Sequence, residues 1–64
     1  MIPSNLSDDE ALLVSLLQSG TPGVDRILQA AANLPSDRFE NARNNLVHLK
    51  ILWVDANGFL ILQG

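Results

Sequence analysis

Cysteine is absent from the 64-residue chain, and the aromatic residues are few: Phe39, Trp53 and Phe59. Without cysteine there can be neither a disulfide framework nor a zinc–thiolate site. The absence also suits a reducing compartment, so we expect a cytoplasmic protein. No apolar run in the sequence approaches the roughly 20 residues that span a bilayer, and no basic region followed by an apolar stretch opens the chain. We therefore expect neither membrane insertion nor a secretory signal.

Positive charge is also scarce. The chain has seven acidic residues and four basic ones, Arg26, Arg38, Arg43 and Lys50, which gives a formal net charge of −3. Non-specific affinity for DNA comes almost wholly from contacts between cations and phosphates. An acidic chain of this kind starts at a disadvantage as a duplex binder.

Apolar residues are plentiful by comparison. They make up 47% of the chain, which is enough for one hydrophobic core. A chain of this length lies near the lower limit at which a core alone sustains folding. We expect a single domain over 1–64, with an N-terminal extension over 1–6.

The first predicted helix is the best marked. Ser7 and Glu10 form a capping box, in which the serine hydroxyl and the glutamate carboxylate satisfy each other's backbone amides. The helix should run over about 8–18 and stop at Ser19-Gly20. Its leucines and Val14 spread more widely around the axis than one packed face requires.

Two further helices are predicted downstream. Thr21 as cap and Pro22 as first helical residue predict a second helix over about 22–33. Ser36 is the expected cap of a third helix over about 36–50. Helical spacing gives the inward stripes Val24, Ile27, Leu28 and Ala31 for the second helix, and Phe39, Ala42, Leu46 and Leu49 for the third.

The sequence pattern predicts a β-hairpin over 51–63. Its turn is Asn57-Gly58, because Asn-Gly between two apolar segments is a strong signal for a two-residue type I′ turn. Such a turn pairs Ala56 with Phe59, Val54 with Ile61, and Leu52 with Gln63. The opposite face then carries Ile51, Trp53, Asp55, Leu60 and Leu62. Both faces are largely apolar, and the hairpin contains no Lys or Arg.

The stretch from Leu34 to Leu62 resembles the second half of a winged helix-turn-helix domain. The likeness rests on a helix ending in Leu46-x-x-Leu49, an apolar strand, a polar tip with glycine, and a returning strand. With the first two helices it covers about 7–63. It implies an α+β fold, a three-helix winged helix with a C-terminal β-hairpin wing. Many members have glycine after the second leucine, where this chain has Lys50.

The resemblance also implies that the third helix enters the major groove of DNA. Its outward face would offer Asn41 and Asn44 for base readout, with phosphate contacts from Arg38, Arg43 and Lys50. Asp37 and Glu40 on the same face disfavour phosphate. A small DNA-binding transcriptional regulator that acts as a dimer is therefore the alternative hypothesis.

No catalytic constellation is evident in the sequence. His48 is the only histidine, there is no cysteine nucleophile, and no glycine-rich phosphate loop is present. A catalytic zinc ion normally needs three protein ligands. We expect a non-enzymatic protein with no metal, cofactor or small-molecule substrate.

Surplus apolar surface on the first helix and on both faces of the hairpin predicts docking against another molecule. The predicted interface residues are Leu12, Leu16, Trp53, Leu60 and Leu62. A free edge of an apolar hairpin also invites strand pairing. The first hypothesis is thus a protein-interaction module that forms a homo-oligomer or binds a protein partner. A domain excised from a larger regulator is a third possibility, which the initial Met1 disfavours.

Overall fold

A computed structural model describes residues 6–63, and these form three α-helices followed by a two-stranded antiparallel hairpin. This α+β arrangement confirms the predicted fold class and is consistent with a winged helix. The extension predicted over 1–6 lies outside the described residues except for Leu6, which packs against the core.

Helix α1 spans Asp8–Gln18, which coincides with the predicted range. The capping box is confirmed: the Ser7 amide donates to Glu10 Oε1 at 2.9 Å, and Ser7 Oγ accepts from the Glu10 amide at 3.3 Å. The helix ends in a Schellman motif, in which Gly20 has a positive φ of 107° and the Thr21 amide donates back to the Leu16 carbonyl.

Helix α2 spans Asp25–Ala32 and therefore begins three residues later than predicted. Val24 occupies the cap position without a side-chain hydrogen bond, so Thr21 and Pro22 do not open the helix. The preceding segment is held instead by the hairpin, because the Gly23 carbonyl accepts from the Leu60 amide at 2.7 Å. A tertiary contact thus overrides a favourable local start signal.

Helix α3 spans Ser36–His48, two residues shorter than predicted. Ser36 is its first helical residue and not its cap, a position that Pro35 holds, and the Ser36 hydroxyl accepts from Gln29 Nε2 at 3.3 Å. The helix stops because Lys50 adopts a left-handed φ of 63°. A Schellman motif again results, with the Ile51 amide donating to the Leu46 carbonyl at 3.0 Å.

Strands β1, Leu52–Val54, and β2, Leu60–Leu62, form the hairpin. The observed pairs are Leu52 with Leu62, Trp53 with Ile61, and Val54 with Leu60. The predicted register is therefore wrong by one residue. As a consequence, Leu52 and Leu60 share the inner face, whereas Trp53 and Ile61 share the outer face.

The core lies between the three described helices and the inner face of the hairpin. Its buried hydrophobic residues are Leu13, Val14, Leu28, Ala32, Phe39, Ala42, Leu46, Leu52 and Leu60. Three predicted stripe positions, Ile27, Ala31 and Leu49, are exposed instead. Leu49 is exposed because α3 has already ended there. In α2 the buried positions are Leu28 and Ala32, so Ile27 and Ala31 lie on the exposed side of the helix.

Candidate functional site

The tip of the hairpin is a three-residue loop and not the predicted two-residue turn. The Gly58 amide donates to the Asp55 carbonyl at 3.0 Å, and Gly58 has a positive φ of 84°. Asp55 Oδ1 accepts from the amides of Asn57 and Phe59 at 2.9 and 2.8 Å. This pattern is that of a type I turn followed by a bulge at glycine, and it shifts the register by one residue.

The shifted register places an apolar surface on the outside of the hairpin. Trp53 is 48% exposed and Ile61 is 38% exposed on the outer face, while Val54 and Phe59 are also exposed. Val54 pairs with Leu60 and therefore alternates away from Trp53 onto the other face of the hairpin. We call the other three exposed side chains the wing patch: Trp53, Phe59 and Ile61. Of the three, Trp53 was predicted as an interface residue, and the exposure of the other two depends on the register.

The remaining residues of the predicted interface have different environments. Leu12 on α1 is exposed, whereas Leu16 and Leu62 are half-buried and pack against the core. Leu60 is 4% exposed, so its side chain lies in the core and offers no surface to a partner. The prediction had placed Leu60 beside Trp53, and the one-residue shift moves it to the inner face.

A cleft of about 420 Å³ continues the apolar surface beyond the hairpin tip. It lies between the start of α2 and the loop, and it is lined by Val24, Asp25, Arg26, Ile27, Asn57, Gly58 and Phe59. The exposed side chains of Ile27 and Phe59 both contribute to it. This cleft was not predicted from the sequence, because α2 was expected to start before Val24.

The residues predicted to read DNA are partly brought together in a polar groove between α1 and α3. This groove, of about 490 Å³, is lined by Ser7, Asp9, Glu10, Arg38, Asn41, Ala42, Asn44 and Asn45. Arg38, Asn41 and Asn44 therefore share one site. Arg43 and Lys50 do not line it.

Both candidate arginines are bound to carboxylates. Arg38 Nε and Nη2 donate to the two carboxylate oxygens of Asp9 at 3.0 and 2.7 Å, a bidentate ion pair. Arg43 donates to Asp25 Oδ2 at 3.1 Å and also to Asn44 Oδ1 at 3.1 Å. The charge that a phosphate would need is compensated locally, and the Asn44 oxygen is already an acceptor.

Glu10 is a buried acid at the floor of the polar groove, 5% exposed. Its Oε1 accepts from the Ser7 amide, and its Oε2 accepts from Asn45 Nδ2 of α3. The hydrogen bond from Asn45, followed by that from the Ser7 backbone, holds the pKa of Glu10 below its ordinary value despite burial. Glu10 thus joins α1 to α3, a role that the capping pattern alone does not reveal.

Residues 6–63 lack two other kinds of site. Within this range no group of three or more His, Asp or Glu side chains is arranged to hold a metal ion. None of the described helices is long and apolar enough to cross a membrane.

No protein-family model, curated protein or solved structure matches the chain. The functional assignment therefore depends on the residues and their arrangement.

Proposed function

We propose that this chain is a non-enzymatic protein-interaction module that docks through the wing patch. The observation that carries the proposal is the exposure of Trp53, which is 48% exposed on the outer face beside Ile61. A contiguous exposed apolar surface on a small domain marks an interaction site, whereas apolar side chains that are exposed singly do not. Tryptophan is also among the residues that dominate binding energy at protein interfaces.

The size of the wing patch indicates how tight such docking is. Full burial of a large apolar side chain contributes about 1.5–3 kcal/mol, so covering the exposed half of one contributes about 1 kcal/mol. Three such side chains give about 3 kcal/mol, which is less than the cost of association, about 4–15 kcal/mol. The wing patch alone therefore does not sustain docking, and measurable binding requires further contacts with the partner.

Electrostatics supports this proposal over DNA binding. Arg38 and Arg43 are occupied by Asp9 and Asp25, and within residues 6–63 neither Arg26 nor Lys50 takes part in an ion pair. Two unpaired cations on a chain of net charge −3 are few for a phosphate surface.

The alternative is a winged-helix DNA-binding regulator that acts as a dimer through α3. It is favoured by the exposure of Asn41 and Asn44 in the polar groove, where an amide can reach an adenine edge. It requires Arg38 and Arg43 to exchange their carboxylate partners for phosphate. That exchange opposes binding, because each arginine must first lose an ion pair.

Sedimentation over a wide concentration range tests the proposal. The unmodified protein is expected to self-associate, whereas Trp53→Glu is expected to remain a folded monomer. Leu49→Glu is the matched control, since Leu49 is exposed to a similar extent but lies at the end of α3, outside the wing patch.

A titration with duplex DNA at several salt concentrations distinguishes the proposal from the DNA-binding alternative. The proposal expects binding no tighter than the weak end of the non-specific range, a Kd of about 10⁻⁴ M at physiological salt. A protein that stays monomeric at millimolar concentration, and binds duplex with a negative salt slope that Arg38→Ala reduces, would overturn the proposal in favour of DNA binding.

A further inference from the structure

The two edges of the hairpin are not equivalent. The Gln63 amide donates to the Ile51 carbonyl, and the Asp55 amide donates to the Phe59 carbonyl. Hydrogen-bonded pairs alternate in an antiparallel ladder, so Trp53 and Ile61 form the hydrogen-bonded pair between them. The backbone groups of Leu52 and Val54 therefore point away from β2.

On β2 the corresponding outward amide, that of Leu60, is satisfied by the Gly23 carbonyl at 2.7 Å. On β1 no such partner exists: within residues 6–63, no hydrogen bond from outside the hairpin reaches Leu52 or Val54. The connection between α1 and α2 thus covers one edge and leaves the other open.

The open edge is short, at three residues, and shortness is one way in which proteins limit strand pairing. It has none of three other protective features, which are charged side chains, proline, and a bulge that twists the edge away. β1 consists of Leu52, Trp53 and Val54, and the latter two side chains are exposed. The bulge at Gly58 lies in the loop, outside β1.

We propose that a second copy of the chain pairs with this edge, β1 against β1 in antiparallel orientation, to form a continuous four-stranded sheet. The inference deepens the proposed function, on which it rests, by naming the partner and the mode of docking. Trp53 of one copy lies opposite Trp53 of the other on the two-fold axis. Leu52 of each copy forms a hydrogen-bonded pair with Val54 of the other.

The geometry selects this register. Outward backbone groups belong to Leu52 and Val54, so these residues must pair with one another or with themselves. A register centred on Leu52 pairs Val54 with Lys50, which has a left-handed φ. A register centred on Val54 pairs Leu52 with Ala56, which lies in the turn. In the register centred on Trp53, Leu52 and Val54 of each copy both pair with strand residues of the other copy.

Charge complementarity favours the antiparallel second copy as the occupant. Lys50 precedes β1 and Asp55 follows it. Antiparallel pairing brings Lys50 of one copy opposite Ala56 of the other, next to Asp55, at both ends of the edge. Lys50 is exposed, and Asp55 uses Oδ1 for the turn amides, which leaves Oδ2 for a cation.

The experiment follows the fluorescence of Trp53, the single tryptophan of the chain, as the protein is concentrated, together with sedimentation. We expect the emission of the unmodified protein to shift to shorter wavelength as chains pair. Amide exchange at Leu52 and Val54 is expected to slow by about tenfold when about nine-tenths of the chains are paired, because the amides exchange from the unpaired copy.

Val54→Pro is the deciding variant. Proline at this position removes an outward amide and leaves the β1–β2 ladder intact, so the variant is expected to fold and to remain monomeric. Val54→Lys is also expected to remain monomeric, because a charged side chain on an edge strand opposes pairing. Unlike proline, lysine places no constraint on the backbone. Leu49→Glu is the control, since Leu49 is exposed to a similar extent as Val54 but lies at the end of α3, outside both β1 and the wing patch, and the variant should leave pairing intact.

The outcomes separate the two proposals. Association that Ile61→Lys in the wing patch abolishes and both Val54 variants preserve would overturn edge pairing and leave docking through the wing patch standing. A wild-type protein that is monomeric at millimolar concentration, with constant emission, would overturn both. Loss of association in the Val54 variants but not in Leu49→Glu, with protected Leu52 and Val54 amides in the wild type, supports edge pairing.

Discussion

The Gly23 carbonyl accepts a 2.7 Å hydrogen bond from the Leu60 amide, and this contact draws the α1–α2 connection against the hairpin. A Cβ atom at position 23 would lie 2.0 Å from the Leu60 carbonyl oxygen. Glycine is required there by the close approach of two backbones, since its φ is not positive. The contact sets the start of α2, covers the β2 edge and leaves β1 open.

Gly23→Ala is therefore expected to destabilise the domain severely. Backbone must move apart to admit the methyl group, which costs on the order of 3 kcal/mol or more. A domain of this size has an unfolding free energy of about 3–10 kcal/mol, so much of it is lost. Urea denaturation followed by circular dichroism measures the change.

Gly20→Ala is the matched control for this substitution. Gly20 has a positive φ of 107°, but a Cβ atom there meets no atom within 4 Å. The expected cost is about 1 kcal/mol, from backbone strain alone. Equal destabilisation by the two alanines would show that the approach of Gly23 to Leu60 is not the decisive contact.

Lys50→Gly is expected to stabilise the protein. Lys50 ends α3 with a φ of 63°, a conformation that costs a residue with a Cβ atom about 1–2 kcal/mol. Glycine removes that strain but adds freedom to the unfolded chain, so the net gain is about 0.5–1 kcal/mol. The urea midpoint should rise with an unchanged slope.

Asn33→Gly provides the comparison, because Asn33 ends α2 with a similar φ of 55°. Asparagine tolerates the left-handed region better than lysine, so the change should stay within about 0.5 kcal/mol. If Asn33→Gly stabilises as much as Lys50→Gly, the strain assigned to Lys50 is not specific to its side chain.

The sequence predicts the number and order of the described elements because their signals are local. The box of Ser7 and Glu10 and the positive φ of Gly20 act within one helix. The contacts that position the candidate site are not local. The Gly23 carbonyl meets Leu60 across the fold, and Glu10 meets Asn45 on another helix. Neither partner can be identified from spacing alone.

The register of the hairpin was missed for a different reason. Asn57-Gly58 is compatible both with a two-residue type I′ turn and with a type I turn followed by a glycine bulge. Asp55 decides between them, because its carboxylate accepts from the amides of Asn57 and Phe59. An aspartate at the first position of a type I turn was the signal available in the sequence.

Alanine substitutions in the loop test that register. Gly58 has a φ of 84°, whereas Asn57 does not have a positive φ. Gly58→Ala should therefore cost about 1 kcal/mol, and Asn57→Ala should stay within about 0.5 kcal/mol. A type I′ turn needs positive φ at both positions, so comparable losses would favour the two-residue turn.

Low pH is expected to weaken the contact between α1 and α3 that Glu10 makes with Asn45. In the folded state the pKa of Glu10 lies below its ordinary value of 4.5, because Asn45 and the Ser7 backbone bind the charged form. The stabilisation is fully present above the pKa that Glu10 has in the unfolded chain, and it is lost as the pH falls through the lower pKa of Glu10 in the folded state. One differentially bound proton gives a slope of at most about 1.4 kcal/mol per pH unit.

Comparison with Glu10→Gln isolates this effect from the other carboxylates. Glutamine is neutral, and its amide can still bond to Asn45 if the Asn45 amide turns over, so the variant should fold with a loss of about 1–2 kcal/mol. That loss should shrink as the pH falls below 4.5, the ordinary pKa of Glu10. A difference in unfolding free energy that stays constant between neutral and acidic pH would show that Glu10 does not link stability to proton binding.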